Sequence, residues 1–138
     1  MVLMFTVSAI LRLFRIIVQQ DTLDTLVASA EAFNVPPAIV LAVCIHESTL
    51  GMNPRAHRLC GCGARRGVGT TAEEQGTCAA QVLSSGYTNC RSWEGSLMRY
   101  RSGRCTGTNE TNVDTPNRYD RIVLRIAGTL GWQPRRAR

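Results

Sequence analysis

Residues 34–54 read NVPPAIVLAVCIHESTLGMNP, and the order of breakers and apolar residues in them predicts a buried helix. Asn34 and the Pro36–Pro37 pair end the preceding segment, and a proline suits the first turn of the next helix, where its missing N–H is no loss. Ile39, Val40, Val43, Cys44 and Ile45 then make a broad apolar face. Gly51 is a natural C-terminal stop. Near the end of this run stands Glu47, where a carboxylate gains nothing from the helix dipole. Cys44 and Val40 lie one and two turns before it on the same side, so its surroundings are expected to be apolar. An apolar setting favours the protonated form of a carboxyl group, and a held proton is what a general acid donates. The plain alternative is a helix-end glutamate paired with one of the chain's many arginines.

Outward from this helix the pattern stays helical. Toward the N-terminus, Asp21 is placed to cap a helix over about 22–33, with Leu23, Leu26, Val27, Ala30 and Phe33 at helical spacing. Toward the C-terminus, Met52 to Thr71 reads as loop. Thr70 or Thr71 before AEEQ then looks like a capped start for a helix over 72–84. SWEGSLMRYR (92–101) predicts a short helix with Trp93, Leu97 and Tyr100 on one side, and RYDRIVLRIAGTL predicts a last amphipathic helix closed by Gly131. No strand run and no repeat appears, so the fold class is all-α. The expected organisation is an apolar N-terminal helix at 1–20, a helical domain at 21–134, and a basic tail at 135–138. Along this segment, Arg12, Arg15 and Gln19 fall on one side of a helix. The arginines come after the apolar run, whereas a secretion signal places its charge ahead of it. The segment is expected to pack on the domain, dock in a larger assembly, or lie at a membrane surface.

The 138 residues suffice for one domain with a single core. All 16 basic residues are arginine and the formal charge is +6, which favours anionic surfaces. No compact basic motif interleaved with aromatics is present, so nucleic acid is not an expected partner. Six cysteines, at 44, 60, 62, 78, 90 and 105, fall mostly in the loop-rich, glycine-rich middle. That usage suits a disulfide framework in an oxidising compartment. Cys90 with Cys105, and Cys78 with Cys60 or Cys62, are the expected pairs. Cys44, inside an apolar helical run, reads as a buried free thiol. A zinc site built from Cys60-x-Cys62 with Cys78, His57 or His46 is a rival reading, although one intervening residue matches zinc knuckles poorly. No metal and no cofactor is expected.

Four pieces of the chain together resemble the soluble lytic transglycosylase family of the lysozyme-like superfamily. NVPPAIVLAVCIHESTLGMNP is similar to its proline-started helix that delivers a Glu-Ser pair, then Gly and Asn-Pro. Here these are Glu47-Ser48, Gly51 and Asn53-Pro54. GTTAEEQGTCAAQVL looks like its Thr-Ala segment, SWEGSLMRYRSG like its Trp-x-x-Ala-Leu-x-x-Tyr-Asn-x-Gly, and RYDRIVLRI like its closing helix. The match covers roughly residues 33–130. It departs at GCGARRGVG, where the family carries Gly-Leu-Met-Gln, and at Tyr100-Arg101, where the family has Tyr-Asn.

The resemblance implies a lysozyme-like helical domain of the goose-type and lytic transglycosylase kind, acting on peptidoglycan outside the cytoplasm or in a virion tail. Glu47 would be the catalytic acid, and Ser48 and Tyr100 would hold Glu47 or the sugar. Ser48 reads equally as a helix residue bonded to its own turn, and Tyr100 as core. The family mechanism uses one carboxyl twice. It protonates the glycosidic oxygen, then takes the proton from the 6-hydroxyl of muramic acid to leave a 1,6-anhydro sugar. A glucosaminidase- or muramidase-type hydrolase would need a second carboxylate, for which Glu73, Glu74, Glu94 and Asp114 are candidates. The arginines at 55, 58, 65 and 66 are placed to meet peptide-stem carboxylates or to be solvated loop charges. A further alternative is an inactive adaptor of a virion or secretion assembly that keeps the fold, with residues 1–18 as its contact to other assembly proteins or a membrane surface.

Overall fold

The computed structural model describes residues 20–106 and 118–134. The N-terminal segment through residue 19, Asp114 and the basic tail at 135–138 lie outside these residues. The described residues form five α-helices: α1 Gln20–Ala32, α2 Pro37–Ser48, α3 Ala72–Cys90, α4 Trp93–Ser102 and α5 Tyr119–Thr129. There is one 3-10 turn, Ala64–Arg66, and no strand among the described residues. None of the described helices is long and apolar enough to cross a membrane.

α2 is the central element. Pro37 opens it, and every residue from Ala38 to Cys44 is buried. A helix apolar around its whole circumference is stable only when neighbours cover all sides, and α1, α3 and α5 pack against it. α4 lies against α3 and α5 and completes the shell. Leu23, Leu26, Ile39, Leu41, Leu83, Leu97 and Leu130 fill the interior between these helices.

The helix ends obey local chemistry. Asp21 lies inside the first turn of α1, where it complements the dipole, rather than capping it from outside. The turn after α1 contains Asn34, which takes a left-handed φ of 56°, a conformation asparagine tolerates better than most residues. At α3, Thr71 and Glu74 form a reciprocal capping box. Ser92 caps α4 by accepting from the Gly95 N–H at 3.0 Å.

α3 runs to Cys90, six residues beyond the expected end at 84. Gly86 is the reason that α4 can lie so close behind it. A Cβ at that position would sit 2.5 Å from the Ser96 hydroxyl and 3.1 Å from the Ser96 Cα. The missing side chain lets α4 approach, and Ser96 donates across the gap to the Leu83 carbonyl at 2.7 Å. Tertiary packing therefore carries the helix through a stretch that its own propensity would end.

All six cysteines are paired: Cys44–Cys60, Cys62–Cys78 and Cys90–Cys105. The Cys90–Cys105 expectation holds, and Cys78 takes Cys62 from the two partners left open. Cys44 is not a free thiol, and Cys60 bonds to it instead of to Cys78. The Cys44 side chain faces the inside of the 52–71 loop rather than the helical core alone, and burial does not prevent a bond to a loop that is itself buried there. Each sulfur of the suggested zinc set is consumed in a disulfide. Three disulfides fit an oxidising, extracytoplasmic setting.

Candidate active site

Glu47 occupies the last turn of α2, half-buried, with its side chain directed between the 52–71 loop and the start of α5. The Tyr119 hydroxyl donates to its Oε1 at 3.1 Å. On the other side Gly61 closes in: a Cβ there would lie 2.7 Å from Oε2 and 2.9 Å from the carboxyl carbon. Gly61 also has a left-handed φ of 64°. The site thus requires glycine twice over, for the turn and for room beside the carboxyl group. One oxygen of Glu47 is engaged by a phenol, and the other faces the space that the absent side chain leaves.

Two tyrosines frame the carboxyl group. Tyr119 is 5% exposed, and burial pushes its phenol well above its ordinary range, reinforced by the charge of Glu47 and opposed by Arg101. Tyr100 is raised by burial and then by Glu47, with Arg66 opposing. Both therefore remain hydrogen-bond donors throughout the neutral and moderately alkaline range. The Tyr100 hydroxyl donates to the Cys60 carbonyl at 2.5 Å. It fixes the residue next to Gly61 and so acts on Glu47 through the backbone. Around Tyr119, the His46 ring meets it edge-on at 5.2 Å and 72°, and the Arg101 guanidinium sits 5.5 Å above its face. His46 is exposed, as its helical position implies, yet it helps to orient the partner of Glu47.

Ser48 is 1% exposed. Its hydroxyl donates to the Leu59 carbonyl at 2.5 Å, with the Cys44 carbonyl 3.2 Å away, and accepts from the Gly51 N–H at 2.8 Å. Its hydroxyl is sealed from solvent and ties the end of α2 to the loop that carries Gly61. Thr49 and Leu50 come next, with left-handed φ values of 51° and 53°, a conformation costing roughly 1–2 kcal/mol per non-glycine residue. The Ser48 ties hold that strained turn, and with it the exit of the chain from beside Glu47.

The loop is anchored from behind by Gln75, which is fully buried in the first turn of α3. Its Oε1 accepts from the N–H groups of Cys60 and Cys62 at 3.3 and 3.1 Å, and its Nε2 donates to the carbonyls of Cys62 and Gly69 at 2.9 and 2.8 Å. One side chain thereby satisfies the backbone on both sides of Gly61. Arg58 adds bonds to the carbonyls of Val68 and Cys62, so this arginine serves the loop. Arg55 and Arg65 are exposed.

Of Gln75, Gly61 and Tyr119, which only the fold brings to the site, Gln75 leaves a trace in the sequence. It shares a stripe with Ala79 and Leu83 at spacings of four, a polar residue on the apolar face of its helix. Gly61 sits in an irregular loop, and Tyr119 is 72 positions from Glu47, so no local pattern ties either of them to it. Arg58, expected beside the site, bonds the loop backbone instead. Among the described carboxylates considered as a second catalytic group, Glu74 is engaged, and Glu73 and Glu94 are exposed. Glu74 closes the capping box, Glu73 is exposed in the first turn of α3, and Glu94 opens toward a groove at the far end of α2. Asp120, buried, forms a two-pronged ion pair with Arg118 at 2.6 and 2.7 Å. No cluster of three metal-ligating side chains occurs among the described residues. No family model, curated protein or solved structure matches the chain.

Proposed function

We propose that the chain cleaves the glycan strands of peptidoglycan as a lytic transglycosylase, with Glu47 as its single acid and base. The observation that carries this reading is the setting of one carboxyl group. Glu47 stands half-buried at the end of an apolar helix, with Oε1 held by the Tyr119 hydroxyl and Oε2 left beside Gly61. The Glu-Ser pair, the Tyr100 position and the order of the helices add the resemblance to that family.

In this mechanism Oε2 delivers a proton to the oxygen bridging two sugars, and the carbon–oxygen bond breaks as oxocarbenium character develops. The carboxylate left behind is stabilised by the Tyr119 hydroxyl, a charge-assisted hydrogen bond that strengthens as the negative charge appears. The same carboxylate then removes the proton from the 6-hydroxyl of muramic acid, whose oxygen closes onto the anomeric carbon. Atoms balance without water, and Glu47 regains its proton. Glu74 is engaged in the capping box of α3 and Glu94 lines the groove at the other end of α2, which favours this single-carboxylate route over hydrolysis.

The test is incubation of the protein and its Glu47→Gln variant with purified peptidoglycan, and then mass spectrometry of the released fragments. Anhydro-muropeptides whose release falls by roughly 100-fold or more in the variant are the expected result. Fragments with reducing ends would replace the proposal with a hydrolase. No release by the folded wild-type protein would leave a structural role.

A further inference from the structure

A groove of about 740 Å³ opens at the end of α2 opposite Glu47. Pro36 contributes to it, and the 11 residues from there to Glu47 span about 16 Å of helix. Its walls are aromatic: Phe33, Tyr87, Trp93 and Trp132. Tyr87 and Trp93 are paired with ring centroids 4.4 Å apart at 35°, and Tyr87 remains 43% exposed. Trp93 packs one side on the core, while Tyr87 is a large apolar ring that the core leaves open to solvent. Between the rings the rim is polar and mostly uncharged. Asn34 and Gln133 present amides, Thr88 a hydroxyl, and among the described lining residues Glu94 alone carries a charge.

We infer that this groove is a second ligand site that binds an uncharged oligosaccharide. A sugar ring has an apolar face of C–H bonds that lies flat on an aromatic ring, and an edge of hydroxyls that needs donors and acceptors. Flat aromatic walls with a rim of amides, a hydroxyl and one carboxylate match both surfaces at once. An acyl chain would leave that polar rim unsatisfied. An anionic polymer would choose the arginines of a chain with a net charge of +6 over a groove whose one charge is negative. The site does not depend on the chemistry of Glu47. If the chain acts on glycan strands, it gives the strand a hold remote from the scissile bond.

Tryptophan emission isolates this groove, because the two tryptophans of the chain, Trp93 and Trp132, both line it. The experiment titrates the Glu47→Gln protein with chitotetraose and with cellotetraose while emission is recorded. A saturable change with either sugar is expected. Tyr87→Ala, at an exposed position, should weaken it roughly five-fold, the size of one aromatic contact. Thr88→Arg, also exposed, should abolish it by filling the groove, with far-UV circular dichroism unchanged in both variants. No change with either sugar overturns the inference, as does a change that neither variant reduces. A response to decanoate in place of the sugars overturns it in favour of an acyl ligand. Cleavage of peptidoglycan by a protein whose groove fails this titration removes the groove alone; a groove that titrates in a protein that cleaves nothing removes the catalytic proposal alone.

Discussion

The α3–α4 pair and the 52–71 loop lie in the same small domain, yet they are held by different forces. α3 and α4 bury Leu83 and Leu97 completely and approach each other across Gly86. Their disulfide, Cys90–Cys105, sits at the edge, with Cys105 exposed. The loop has no periodic apolar face. It is tied by Cys44–Cys60 on one side, by Cys62–Cys78 on the other, and by the Gln75 amide and the Arg58 guanidinium between them. A helical pair is ordered by burial of repeated side chains. An irregular segment must be ordered by covalent bonds and by buried polar groups that satisfy its backbone. The loop is also the part that presses Gly61 onto Glu47, so the geometry of the site depends on those ties.

The largest expected effect comes from separating the disulfides. The three bonds close segments of nearly equal length, with sequence separations of 16, 16 and 15, so chain entropy assigns each about 3 kcal/mol. Replacing Cys44 and Cys60 by alanine should cost at least that in denaturant unfolding and should abolish the proposed cleavage of peptidoglycan, because the Cys60 carbonyl and Gly61 lose one of their ties. Replacing Cys90 and Cys105 should cost a similar amount and leave cleavage within about two-fold of wild type at temperatures where both are folded, as expected for independent sites. Equal activity losses in the two variants would remove the distinction between the loop and the helical pair.

Gln75→Leu comes next, at roughly 2 kcal/mol, since it leaves the buried N–H groups of Cys60 and Cys62 without a partner. Its cleavage loss should exceed what its stability loss explains, which activity measured well below the melting temperature will show. Thr71→Ala, which removes the cap of α3, should cost about 1 kcal/mol and leave the site intact. This variant serves as the control for stability lost outside the loop.

The smallest effect is a slope in alkaline solution. Tyr100 and Tyr119 are raised in the folded protein above the ordinary phenol value of 10.0. Their contribution to stability is therefore complete below pH 10 and declines as the pH rises beyond it, because the unfolded chain loses those protons first. Tyr119→Phe should flatten the decline in unfolding free energy above that pH. An unchanged slope would mean that folding does not hold the Tyr119 phenol in its protonated form.

Much of the architecture was legible locally. The capping box at Thr71–Glu74, the Pro37 start and the apolar circumference of α2 are patterns within a few residues of each other, governed by hydrogen bonds and burial at helical spacing. Helix boundaries were less legible where a neighbour intervenes, as at Gly86, whose value lies in what it allows Ser96 to approach. At the site, Glu47 stood out because it interrupts an apolar run. Ser48 entered through the Glu-Ser resemblance, with a bond to its own turn as the equal alternative. Its hydroxyl lies within 3.2 Å of the Cys44 carbonyl and also reaches the backbone of Leu59 and Gly51.

By itself the sequence determined an all-helical chain, a strongly apolar helix with Glu47 near its end, and a cysteine-rich middle suited to disulfides. These depend on periodicity, capping and composition, which act over one or two helical turns. Only the tertiary structure decided that Cys44 bonds Cys60, that Tyr119 donates to Glu47, and that Gln75 holds the loop from behind. Those partners are 16, 72 and 13 to 15 positions apart. Contacts at such separations depend on how helices pack, and no spacing rule along the chain encodes which of several possible partners will be brought within reach.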